Sequence, residues 1–210
     1  MTISPQDALR RLKDGNDRFA AGVPSIDASA NHLRRIALTQ RQEPFAIVLG
    51  CSDSRVPAEF VFDQGLGDLF VIRVAGNIVA PSQVGSVEFA VERFGTSLVV
   101  VLGHSSCGAI LATLEQLLRP TEQQSPHLRS IVDRVRPSVA PLLATELRHD
   151  HDALVSHAVR ANVSLSANHL RHGSSILEQH IQARKLLVVG AEYSLDSGKV
   201  DFFDGIEPVA

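Results

Sequence analysis

Four short apolar runs, rich in β-branched residues, constrain this chain most: residues 45–49 (FAIVL), 69–74 (LFVIRV), 98–102 (LVVVL) and 186–189 (LLVV). None shows the strict polar alternation of a strand with one wet face. That pattern suits strands buried on both sides, as in a parallel sheet covered by helices. The intervening segments are long enough for crossover helices. Residues 81–93 (PSQVGSVEFAVER) set Val84, Val87, Ala90 and Val91 on one face, with Pro81 near the start and Gly95 just past the end. Residues 108–118 form a second helix, stopped by Pro120. Residues 126–172 read as two or three helical pieces broken around Pro137 and Pro141, and residues 174–183 as another helix capped by Ser174.

After the last apolar run come Asp196-Ser197-Gly198 and then residues 200–203, a hairpin that adds an antiparallel edge strand. The expected fold is therefore α/β: a mainly parallel sheet of about four strands with an antiparallel edge strand, flanked by helices. A helix over residues 4–19 precedes it, with apolar positions only at Ala8, Leu9, Leu12 and Phe19. It is too thin to form a core and should pack on another element or another subunit. Residues 20–31 read as a linker. The whole chain, 1–210, reads as one domain, with 1–31 as arm and linker.

The formal net charge is -3, from 20 Lys+Arg against 23 Asp+Glu, so nothing electrostatic recommends nucleic acid or an anionic membrane as partner. No apolar run nears the roughly 20 residues of a spanning helix. The first 19 residues are polar and of mixed charge, without an apolar h-region, so a cytoplasmic location is expected. Two cysteines cannot build a disulfide framework; in a reducing compartment such thiols serve metal binding or catalysis.

Two strands end alike. After FAIVLG stands Cys51-Ser-Asp53-Ser-Arg55, and after LVVVLG stands His104-Ser-Ser-Cys107-Gly108. Ligands of open α/β sheets bind beyond the carboxyl ends of the strands. Thiolate and imidazole are donors that select zinc, and two Cys with one His leave one of four tetrahedral positions open, as in catalytic sites. Asp53 and Arg55, two apart, point to the same side of an extended segment. The carboxylate either takes the fourth metal position or pairs with Arg55 in a bidentate fork. Against this stands the plainer reading, two inert buried thiols and an ordinary salt bridge.

Cys51-Ser-Asp-Ser-Arg-Val-Pro, followed by FVFDQGLGDLFVIRVAGN (60–77) and His104-Ser-Ser-Cys107-Gly, resembles the β-class carbonic anhydrases, in particular their plant-like branch. The motifs are intact over residues 45–110, recur around 191–200, and are looser in the arm and over 120–175. The resemblance implies zinc held by Cys51, His104 and Cys107, with Asp53 as an exchangeable fourth group and Arg55 as its partner. It implies substrate contacts from Gln42, Phe70 and the Gly108 N–H, and reversible hydration of CO2 to bicarbonate by a zinc-bound hydroxide. It also implies a homodimer or homotetramer with the pocket at the subunit interface and the N-terminal helix as a swapped arm. One branch of the family carries a second, inhibitory bicarbonate site of tryptophan, arginine and tyrosine. Arg73 and Tyr193 match two of these, but Val48 stands where the tryptophan belongs and the chain has none.

Three other readings compete. Close relatives in fold and motif hydrolyse carbon disulfide, another linear apolar molecule. A permanently closed zinc protein would have no use for Arg55 beside its fourth ligand. A thiol enzyme built on Cys51 and Arg55 would need a longer phosphate loop than Cys-x3-Arg, and a nucleotide-binding module lacks its Gly-x-Gly-x-x-Gly turn.

Overall fold

The computed structural model describes residues 3–25, 32–120 and 125–206. Its centre is a five-stranded sheet of β1 (Ala46–Gly50), β2 (Leu69–Arg73), β3 (Leu98–His104), β4 (Leu187–Tyr193) and β5 (Val200–Asp204). The spatial order is β2-β1-β3-β4-β5, parallel throughout except for β5, which runs antiparallel to β4. This is the sheet expected from the apolar runs. β3 outruns its run by two residues and ends on His104.

The strands are uniformly apolar because both faces are covered. Leu98, Val100 and Leu102 of β3 point into one core, with Val48, Phe62, Val189 and Ala191. Val99 and Val101 point into the other, with Ile47, Leu49 and Val188. Helix α1 (Pro5–Ala20) and the short α3 (Ala58–Val61) cover the first face. Helices α4 (Pro81–Phe94), α7 (His151–His172) and α8 (Ser175–Gln182) cover the second. Helix α2 (His32–Ala37) precedes β1. Helices α5 (Gly108–Leu118) and α6 (Pro126–Val139) join α7 in a third cluster around Cys51 and Cys107, beyond the strand ends.

One expectation is refined. Pro137 sits inside the last turn of α6, and the break comes after Val139, in two 3₁₀ turns over Ala140–Ala144 and Glu146–His149. Proline removes one intrahelical donor, which a helix tolerates when it ends within that turn. Asp150 then caps α7 by accepting from the Ala153 N–H at 3.0 Å.

Within the chain the arm packs on α3 and on the hairpin that joins β4 to β5. Its inner face looked thin because Gly15 and Asn16 belong to it: both are buried. A Cβ on Gly15 would lie 1.9 Å from the Phe62 carbonyl oxygen, so the helix touches α3 backbone to backbone. Asn16 Nδ2 donates to the carbonyls of Val61 (3.0 Å) and Gly198 (2.9 Å), and its Oδ1 accepts from the Val200 N–H (2.8 Å). Arg18 adds an ion pair to buried Asp63 at 2.6 Å. Of the expected linker, residues 26–31 lie outside the described residues.

Asn16→Leu keeps the branching and the number of heavy atoms and strands a donor and two acceptors, so it should lower the unfolding free energy by about 3 kcal/mol in urea denaturation. A loss under about 0.5 kcal/mol, the range of an indifferent surface change, would show that the arm is not held this way.

Candidate metal centre

Parallel pairing brings two strand ends level. Gly50 of β1 pairs with Leu102 of β3, so Cys51 leaves the sheet beside Gly103 and His104. The chain then turns through Ser105 and Ser106, the latter in a left-handed conformation (φ 55°), and Cys107 becomes the residue before α5. Cys51 Sγ and Cys107 Sγ stand 4.0 Å apart, and one donor atom from each of Cys51, His104 and Cys107 lies within 4.8 Å of the others. All three residues are buried.

His104 Nδ1 lies 2.9 Å from the Ser105 carbonyl oxygen, which makes it the protonated nitrogen and leaves the lone pair on Nε2. Among the described residues, His104 Nε2 is one of two buried side-chain polar atoms with no hydrogen-bond partner. A buried, unpaired acceptor facing two thiols is costly unless something sits against it.

The thiols are equally unsettled by themselves. The hydrogen bond from Cys107, aided by the Gly76 N–H, pulls Cys51 down to about 4, while the same contact and burial push Cys107 up. The pair holds one proton, and a divalent cation that displaced it would neutralise both sulfurs. For sulfurs at about 2.3 Å from a tetrahedral zinc, the S–S separation is about 3.8 Å, close to the spacing found. The donor set fits zinc in both geometry and softness.

Asp53 stands at the mouth of this group. Its Oδ2 is 3.8 Å from His104 Nε2. Arg55 grips it in a fork, Nε to Oδ1 at 2.9 Å and Nη2 to Oδ2 at 2.8 Å, with the Arg55 N–H on Oδ1 at 3.0 Å. This arrangement holds the Asp53 carboxyl well below the usual carboxylate range. This is the bidentate fork that the spacing of Asp53 and Arg55 allows.

Gly108 opens α5, where N–H groups have no intrahelical partner, and a Cβ there would meet open space. Gln42 and Phe70 are not brought to the group within one chain. Gln42 lies before β1, whose four steps alone span about 13 Å. It lines a surface groove with Arg35, Leu38 and Leu66. Phe70 pairs with Ile47, again about 13 Å of strand below Cys51, and its ring packs on Phe89 and Phe94.

Arg73 does something the sequence did not reveal. Its Nε donates to the Cys51 carbonyl at 3.0 Å and its Nη2 to the Asp53 carbonyl at 2.6 Å, clamping the loop that carries both residues. Tyr193 is buried against Phe19, and Val48 lies inside the sheet.

A family model described as carbonic anhydrase matches residues 46–200. The carbonic anhydrase of Mycolicibacterium smegmatis is 42% identical over 198 residues, 94% of this chain and 93% of that protein. The chain belongs to the β-carbonic anhydrase family. Carbonic anhydrase 2 of Mycobacterium tuberculosis is 40% identical over 97% of this chain and 95% of its own. Among solved structures, the β-carbonic anhydrase CafA of Aspergillus fumigatus superposes with a TM-score of 0.72 at 26% identity, over 97% of this chain and 92% of that one. Tetrameric β-carbonic anhydrases from Sordaria macrospora share the fold at TM-score 0.73 and 24% identity, over 94% and 97% of the two chains. The match spans the parallel strands and all five residues of the Cys/His/Asp/Arg group. Among the described residues no helix is long and apolar enough to cross a membrane.

Cys107→Ala removes one sulfur from a three-donor set. The purified variant should lose its metal on dialysis while keeping its far-ultraviolet dichroism. Stoichiometric metal after dialysis would contradict the ligand set.

Proposed function

We propose that this β-carbonic anhydrase catalyses the reversible hydration of CO2 to bicarbonate and a proton, with zinc held by Cys51, His104 and Cys107. The observation that carries the reading is the convergence of two thiols and an orphaned imidazole nitrogen, with an ionised carboxylate 3.8 Å from that nitrogen. When bound, zinc would lower the pKa of a coordinated water to about 7 and so supply the nucleophile at neutral pH.

The side chains do the rest. His104 keeps its proton on Nδ1 through the Ser105 carbonyl, which fixes the ring and presents Nε2 to the ligand position. Asp53 Oδ2 accepts a hydrogen bond from the attacking water and directs its lone pair at the carbon of CO2. Arg55 favours its ionised, accepting form by holding the carboxyl well below the usual carboxylate range. A rise of rate with pH near neutrality therefore reports another group losing its proton, not Asp53. The Gly108 N–H and the Gln42 side chain donate to the oxygens that become negative, as donors in an oxyanion site do.

CO2 has no dipole, and an apolar wall that includes Phe70 would hold it. Gln42 and Phe70 lie too far down their own chain to reach Cys51, which supports a homodimer or tetramer in which a second copy brings them to the pocket. Asp53 as an exchangeable fourth metal ligand, and a cytoplasmic location, belong to the same reading.

Zinc-loaded protein should hydrate CO2 in a stopped-flow indicator assay. Asp53→Asn keeps the shape, loses the acceptor charge, and should lower kcat by about 100-fold with one zinc per chain retained. Loss of zinc in that variant would make Asp53 a required ligand, and full activity would remove it from the mechanism.

A further inference from the structure

Helix α7 carries a polar residue on its buried face. Leu154, Ala158, Val159, Val163, Ala167 and Leu170 are the apolar residues of that face, and Asn162 sits among them with 1% of its surface exposed. A buried amide is costly unless it is hydrogen-bonded. Asn162 Nδ2 donates to the Gly76 carbonyl oxygen at 2.8 Å.

Gly76 is the middle of the turn Ala75–Asn77 that follows β2. Its backbone is left-handed (φ 72°, ψ 20°), and Asn77 after it is left-handed as well (φ 42°). Glycine takes this conformation without steric cost, whereas Asn77 holds it against the usual preference of a residue with a side chain. The turn is wedged against the first residues of α5: a Cβ on Gly76 would stand 3.0 Å from Ala109 Cβ. The Gly76 N–H, on the other side of the same residue, points at Cys51 Sγ at 3.3 Å.

We propose that Asn162 is a positioning residue for the metal centre: by gripping the Gly76 carbonyl it holds the turn so that the Gly76 N–H donates to the Cys51 sulfur. An N–H on a thiolate draws electron density from sulfur and fixes its direction. Partners of this kind orient metal ligands and moderate how strongly they donate. In a centre with two thiolates, that moderation keeps the metal a better Lewis acid. The inference rests on the metal reading above and adds a residue from a helix that supplies no ligand.

The test uses the full-length protein loaded with Co2+ for spectroscopy and with Zn2+ for release to a chromogenic chelator. In Asn162→Leu the turn loses its grip and the N–H···S bond weakens. The thiolate-to-cobalt charge-transfer band should then move to longer wavelength, and zinc should be released about 10-fold faster or more. Leu170→Ala, a buried change on the same helix away from the turn, should melt earlier with an unmoved band. Should Asn162→Leu fail to fold, the smaller change Asn162→Ala is read in the same way. A folded Asn162 variant with the wild-type band and wild-type zinc release would overturn the assignment to Asn162. Wild-type protein that takes up no Co2+ with a thiolate band would instead overturn the metal reading itself.

Discussion

Two sulfurs buried 4.0 Å apart, with an unpartnered imidazole nitrogen beside them, form a donor set suited to a metal ion. One thiol is drawn toward ionisation chiefly because the other keeps its proton. The imidazole has already committed its N–H to a backbone carbonyl. What such a cavity lacks is positive charge with soft, tetrahedral preferences. The fold bears the cost of burying these groups because a cation can offset it, and metal affinity in such proteins is coupled to folding in this way.

The rest of the architecture keeps that trio together. Parallel pairing of β1 with β3 sets the two ligand-bearing ends side by side, a consequence of register and not of any contact between the ligands. Two of the three ligands are then held from behind, His104 by the Ser105 carbonyl and Cys51 by the Gly76 N–H, while the Arg73 side chain donates to the carbonyls of Cys51 and Asp53. Arg55 adds the outermost restraint, on Asp53 alone, and stays half exposed.

Much of this was legible in the residues. Runs such as LVVVL announce strands covered on both faces, and paired motifs after two such runs place their ligands at one end of a sheet. Helix α4 begins at Pro81 and closes before Gly95 as its ends imply. Other features were not legible, for identifiable reasons. The inner face of α1 works through Gly15 and Asn16, a close backbone approach and a set of hydrogen bonds that a search for apolar periodicity overlooks. The sequence matches Arg73 only to the arginine of a second bicarbonate site; its clamp on the ligand loop was hidden because its partners are carbonyl oxygens, which carry no residue identity. Asn162 reads as an interruption of a helix face until the turn it meets is known. Gln42 and Phe70 sit at the far end of their strands, so their relation to the centre is a matter of assembly that no local pattern encodes.

X-ray absorption at the zinc edge of the purified protein addresses the central claim most directly. The account predicts a four-donor shell with two sulfurs at about 2.3 Å and one imidazole nitrogen near 2.0 Å, leaving one position for a light atom. A shell with no sulfur, a four-sulfur shell, or folded protein that takes up no zinc when it is supplied would contradict it.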